Sequence, residues 1–146
     1  MNQNILGIEL VCTCGACPEQ YDAFIDGQYV GYFRLRHGYF RVEHPDCGDE
    51  TVLGMYTDGD GIFDSEERMR CLSLGCLAIL DKLGKVPKFK CIKESPDYHK
   101  DGISDLCRCT VGNIYEIDHL EDSKFGLMLV ISGEWHLAEC FEEIHD

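Results

Sequence analysis

From Ile5 to Thr57 apolar and polar residues alternate over short runs, the period of strands with one face buried and one exposed. The segments "ILGIELV", "QYDAFID", "QYVGYFRLRH", "YFRVEH" and "TVLGMYT" carry this pattern. Turn-forming residues separate them. Asp26 and Gly27 suit a type I′ hairpin, Gly38 breaks the next pair, and "PDCGD" supplies a longer loop. The pattern predicts a meander of antiparallel strands. From Ser65 to about Leu83 the period lengthens: Met69, Leu72, Cys76, Ile79, Leu80 and Leu83 recur at helical spacing. Gly84 and then Pro87 stop that helix, which is expected to cover one face of the sheet.

Beyond the junction "LGKVPK" the chain returns to strand-like segments, "KFKCIKE", "TVGNIYEID", "FGLMLVI" and "EWHLAECFEEI", with a polar loop expected from Ser95 to Asp105. The expected fold class is α+β. Residues 1–85 form an antiparallel β-meander with one covering helix, and residues 86–146 form a small all-β domain. The succession "TVGNIYEI", a turn, an apolar strand and "GEWHLAECFEEI" resembles small SH3-like barrels common in phage and prophage proteins. That resemblance implies a closed SH3-like β-barrel for the second domain. The stretch "CTCGACPEQYDAFIDGQYVGYFRLRHGYFRVEHPDCG" resembles uncharacterised phage and prophage proteins of gut Firmicutes. It implies an origin in a mobile element, where small acidic proteins often inhibit host defence, and it transfers no functional residue.

Composition sharpens the picture. Twenty-seven acidic against thirteen basic residues give a formal charge of −14, which opposes direct nucleic-acid binding and adhesion to an anionic membrane while favouring basic partners. The segment "MNQNILGIELVC" has no basic leader and is interrupted by Glu9, so a cytoplasmic location is expected, that of the host cell if the protein is phage-encoded. In that reducing setting ten cysteines read as thiols or metal ligands rather than disulfides.

Four local patterns carry candidate chemistry. "YTDGDGIFDSEE" sets Asp58, Asp60, Gly61, Asp64 and Glu67 at positions three, five, six, nine and twelve of a calcium loop, but Tyr56 occupies position one, where a carboxylate ligand belongs. A tight turn at Gly59 and Gly61, with Asp64 and Glu67 as a helix capping box, explains the same residues without a cation, so calcium is not expected. In "CTCGAC", Cys12, Cys14 and Cys17 have spacing suited to zinc, with His44 and Cys47 as distant partners; the competing reading is buried or incidental thiols. In "YVGYFRLRHGYFRVEH", alternation sets Tyr32, Arg34 and Arg36 on one face, and Tyr39 and Arg41 join them across the Gly38 turn. Guanidinium groups among aromatic rings suit a phosphate or a stacked base; the bland alternative pairs these arginines with Asp22, Glu43 and Glu50. The fourth pattern is an acidic surface of Glu116, Asp118, Glu121, Asp122, Glu142 and Glu143, suited to a basic protein partner.

No phosphate-binding glycine loop, nucleophile elbow or HExxH helix occurs, and His37, His44, His99, His119, His136 and His145 are scattered. Trp135 reads as a packing residue and His136 as a surface imidazole. The expected function is therefore non-enzymatic: a phage-type binding protein that inhibits a host effector by contact through its acidic surface. The alternatives are an anionic-nucleotide binder using the arginine and tyrosine face, and a small zinc-binding domain.

Overall fold

The computed structural model describes residues 2–15, 18–93, 97–99, 102–104 and 109–144, the two three-residue segments as backbone only. The chain divides into two compact units, Met1–Gly84 and Lys85–Asp146.

In the first unit six strands pair in sequence order: β1 (Gln3–Ile5), β2 (Ile8–Gly15), β3 (Glu19–Ile25), β4 (Gln28–Arg36), β5 (Tyr39–His44) and β6 (Glu50–Tyr56). All five pairings are antiparallel. The β3–β4 turn has both central residues left-handed, Asp26 at φ 50° and Gly27 at φ 80°, and the β4–β5 turn repeats this with His37 at φ 54° and Gly38 at φ 72°. Such turns match the twist of a strand pair.

Alternation divides the sheet into two unlike faces. One carries Leu10, Tyr21, Phe33, Leu35, Phe40 and Val42, all buried, and it packs against helix α1 (Arg68–Leu83) through Cys71, Leu72, Cys76 and Ile79. The helix begins three residues later than its periodicity predicts, because 65–67 form a turn, and it ends on left-handed Gly84, whose N–H is bonded to the Asp81 carbonyl at 3.1 Å. Gly75 lets it lie close, since a Cβ there would stand 2.6 Å from the Phe33 ring and 2.9 Å from Val42. The other face carries Gln20, Tyr32, Arg34 and Arg41, each partly exposed.

The first unit is tied together by a buried carboxylate. Glu19, 0% exposed, accepts hydrogen bonds from Arg68 Nε and Nη2, both at 3.0 Å, from the Phe63 N–H at 3.2 Å and from the Tyr21 hydroxyl at 2.5 Å. The bond to Glu19 raises the Arg68 pKa further, while burial, then the neighbouring Glu19, pushes the Tyr21 phenol well above its usual range. The arrangement has the full set of donors that a desolvated carboxylate needs.

The second unit corrects the expectation of a closed barrel. Strands β7 (Lys88–Cys91), β10 (Ile114–Tyr115) and β14 (Phe141–Ile144) form one sheet in the order β10-β7-β14. Strands β8 (Asp97–His99), β9 (Gly102–Ser104), β11 (His119–Ser123), β12 (Gly126–Ile131) and β13 (Glu134–Leu137) form another in the order β11-β12-β13-β8-β9. Closure requires the outer strands to pair with each other. Among the described residues β9 and β11 pair on one side only, and β7, β10 and β14 make a separate sheet, so the fold is three open antiparallel sheets with one long helix. The polar stretch expected as a loop holds β8 and β9 in its described parts. Met128 to Ile131 are buried in succession, so both faces of β12 are covered. No helix among the described residues is long and apolar enough to cross a membrane.

Candidate functional site

The arginine and tyrosine residues of β4 and β5 come together on the open face of the first sheet. Arg34 is the direct cross-strand partner of Arg41, Arg36 of Tyr39, and Tyr32 of Glu43. Arg34, Arg36, His37, Tyr39 and Arg41 line an open depression of about 250 Å³. Two like charges placed opposite one another on a strand pair repel. Of the acids that could neutralise them, Asp22 accepts the Tyr29 hydroxyl at 3.1 Å and Glu50 pairs with Lys82 at 3.1 Å. Of these three acids, among the described residues, Glu43 alone approaches an arginine of the cluster, its Oε2 standing 3.8 Å from Arg41 Nε. That nitrogen is shut off from solvent and has no hydrogen-bond acceptor among the described residues. Burial raises the Tyr32 pKa, and the adjacent Arg34 partly opposes the rise. The phenol therefore stays a neutral hydrogen-bonding group at neutral pH.

Two further features flank the depression. The Tyr39 ring lies across β6 over Gly54, so closely that a Cβ at residue 54 would collide with its hydroxyl. Next along β6, Tyr56 pairs in register with Tyr39, their ring centroids 5.1 Å apart at an interplanar angle of 64°. Tyr56 is 83% exposed. Sequence reasoning missed His37, Gly54 and Tyr56 as members of this face. The β4–β5 turn carries His37, whereas Gly54 and Tyr56 are placed by the β5–β6 register, which the loop after His44 and an irregularity between Val42 and Glu43 shift. The alternation of Gly54 with Tyr56 was the available signal.

The calcium-like loop has the opposite polarity to a cation site. Glu67, which would be the closing ligand, is buried and accepts backbone N–H groups from Asp58 at 2.9 Å, Gly59 at 2.8 Å and Asp64 at 2.9 Å. Burial alone would raise the Glu67 pKa, but these three donors outweigh it and leave the pKa lowered. The loop thus turns its donors inward onto an anion. The expected capping box is not formed: Glu67, not Asp64, stands at the N-cap of α1 without a side-chain cap bond, and although Glu67 accepts the Asp64 N–H, its own N–H donates to the main-chain carbonyl of Asp64, at 3.0 Å, rather than to its side chain. The same loop holds the β4–β5 hairpin. Gly38 N–H donates to the Asp60 carbonyl at 2.6 Å, and Thr57 N–H donates to the Gly38 carbonyl at 2.9 Å.

The described members of the expected zinc set do not come together. Among the described residues no group of three or more His, Cys, Asp or Glu side chains is placed to hold a metal. Cys12 and Cys14 lie on β2, while His44 and Cys47 lie at the end of β5 and in the loop after it, with β3 and β4 between. Three strand spacings amount to ~14 Å, against ~2.3 Å for a zinc–sulfur bond. His44 Nδ1 lies 2.6 Å from the Val30 carbonyl oxygen. Cys17 lies outside the described residues, as do the side chains of His99 and His145.

The acidic residues of the second unit are not all at the surface. Glu116, Asp118, Asp122 and Glu142 are exposed, but Glu121 is buried beside His119, whose Nε2 is 3.1 Å from its Oε1, and Glu143 is half-buried. Glu142 stands opposite Lys90 on β7. The reading of residues 135 and 136 is reversed in part: His136 is fully buried, with Nε2 3.5 Å from Cys109 Sγ and 3.8 Å from Glu134 Oε2, and Trp135 is half-buried. No protein-family model, curated protein or solved structure matches this chain, so the resemblance to phage and prophage proteins is withdrawn, and the mobile-element origin and host-defence role it implied go with it.

Proposed function

We propose that this chain is a binding protein for a small phosphate-bearing anion of the nucleotide type, captured without chemical conversion on the open face of the first sheet. The observation that carries the reading is the register of Arg34 opposite Arg41, with Arg36, His37 and Tyr39 around the same depression. A dianionic group between the two guanidiniums converts a repulsive pair into two charge-assisted contacts, and the planar fork of arginine fits phosphate oxygens in pairs. The overall charge of −14 makes such a cationic depression selective. A small ligand responds mainly to the nearby arginines, whereas a long polyanion also meets the surrounding acids.

Thermal denaturation with pyrophosphate and with nucleotides tests the reading. A ligand at one hundred times its Kd stabilises the folded state by about 2.7 kcal/mol. The expected result is a rise in melting temperature that Arg36→Ala removes; Arg36 is exposed, so its truncation leaves the core intact. The absence of any shift across phosphate, pyrophosphate and nucleotides defeats the proposal.

A further inference from the structure

Resting on the anion site just described, we infer that the ligand is a nucleotide whose base stacks on Tyr56, with the phosphate held among Arg34, Arg36 and Arg41. The depression, at about 250 Å³, is smaller than the ~300–1,000 Å³ of pockets that enclose a drug-sized ligand. It accommodates the charged end and leaves the remainder of a nucleotide outside. What stands outside, on the Tyr39 flank, is an aromatic ring. Arg36, Tyr39 and Tyr56 occupy one row across β4, β5 and β6, so Tyr56 lies two strand spacings, ~10 Å, from the Arg36 backbone.

The tyrosine pair has one constrained member and one exposed member. Tyr39 is wedged over Gly54 and meets Tyr56 edge-on, which fixes the position of Tyr39 and leaves Tyr56 largely in solvent. A large aromatic side chain exposed beside an arginine cluster has the composition of a base-stacking platform, and every nucleobase offers a π-face to it. The carbon-poor alternatives, inorganic phosphate and sugar phosphates, would leave Tyr56 unused. A single nucleotide fits the charge balance better than a strand does, because each further phosphate would lie over a protein with twice as many acids as bases.

Calorimetric titration of the full chain with pyrophosphate, ribose 5-phosphate, AMP and a short single-stranded oligonucleotide tests this, using wild type, Tyr56→Ala and Tyr56→Phe. The expected result is that AMP binds roughly tenfold or more tightly than ribose 5-phosphate, the gain typical of one stacked base. Tyr56→Ala should abolish that gain and leave pyrophosphate affinity unchanged, and Tyr56→Phe should retain it. Equal affinity of wild type for AMP and ribose 5-phosphate, or equal weakening of both by Tyr56→Ala, overturns the base platform while the anion site stands. Tighter binding of the oligonucleotide than of AMP at physiological salt overturns the single-nucleotide assignment. Failure of every phosphate compound to bind removes the anion site and this inference together.

Discussion

Arg34 and Arg41 are direct partners across the β4–β5 ladder, so two positive charges share the middle of the open sheet face. A like-charged pair in that geometry costs stability in the empty protein. Arg34→Gln should therefore leave the unliganded protein unchanged or stabilise it by about 0.5 kcal/mol. Pyrophosphate affinity should fall about tenfold or more with the loss of a charge-assisted contact. Melting curves with and without pyrophosphate separate the two effects, and a variant that is both destabilised and still a full-strength binder contradicts the argument.

Gly54 is required by the approach of Tyr39, since its backbone is not in the left-handed region while a Cβ there would strike the tyrosine hydroxyl. Gly54→Ala should push the Tyr39 ring off β6. Tyr39 lies at the surface, so displacing its ring opens no core and the stability loss should stay within about 1 kcal/mol. Binding should suffer more than folding. Affinity for pyrophosphate and for AMP should both drop, measured by calorimetry beside an unfolding curve of the same variant.

Glu67 gives the first unit a defined response to acid. Its pKa is lowered in the folded state, so its contribution is fully present above the ordinary glutamate pKa of about 4.3 and is lost as pH falls through the lower folded value. Glu67→Gln keeps the shape but removes the charge that three N–H groups share, at a cost on the order of 3 kcal/mol near neutral pH. The stability difference between wild type and variant should shrink as pH drops below about 4. Denaturant titrations at a series of pH values check this, and a constant difference contradicts it. In the same protein Asp58→Asn should change stability by less than about 0.5 kcal/mol, with or without calcium, because Asp58 is exposed and the loop binds a carboxylate.

Glu19 and Arg68 form a bidentate pair whose carboxylate has no access to water. Arg68→Ala strands that charge and should destabilise the first unit by about 3–5 kcal/mol. Arg68→Lys, which keeps a charge but not the fork, should recover only part of the loss. Chemical denaturation monitored by circular dichroism measures both.

The parts legible in the sequence are those decided locally. The I′ turn at Asp26–Gly27, the break at Gly38, the helix stop at Gly84, and the alternation that groups Tyr32, Arg34 and Arg36 each depend on a few adjacent residues. Features set by register or distance were not legible. Arg68 meets Glu19 across 49 positions, and Tyr56 reaches Tyr39 only after the irregular β5–β6 pairing is known. Barrel closure failed for a related reason: short strands reveal their existence but not which edges meet, and in the second unit β9 and β11 are not paired with each other among the described residues. His136 was misplaced because a four-residue strand has no long alternation to fix its phase, and the structure turns the imidazole inward.

The clasp between Gly38 and the loop that follows β6 means that the rim carrying Arg36, His37 and Tyr39 is anchored in the empty protein. Its disorder is given up during folding, so an arriving anion does not have to arrest a waving hairpin. Because Glu67 grips the far side of that clasp, the rigidity of the rim originates at the foot of the helix, on the side of the sheet away from the arginines.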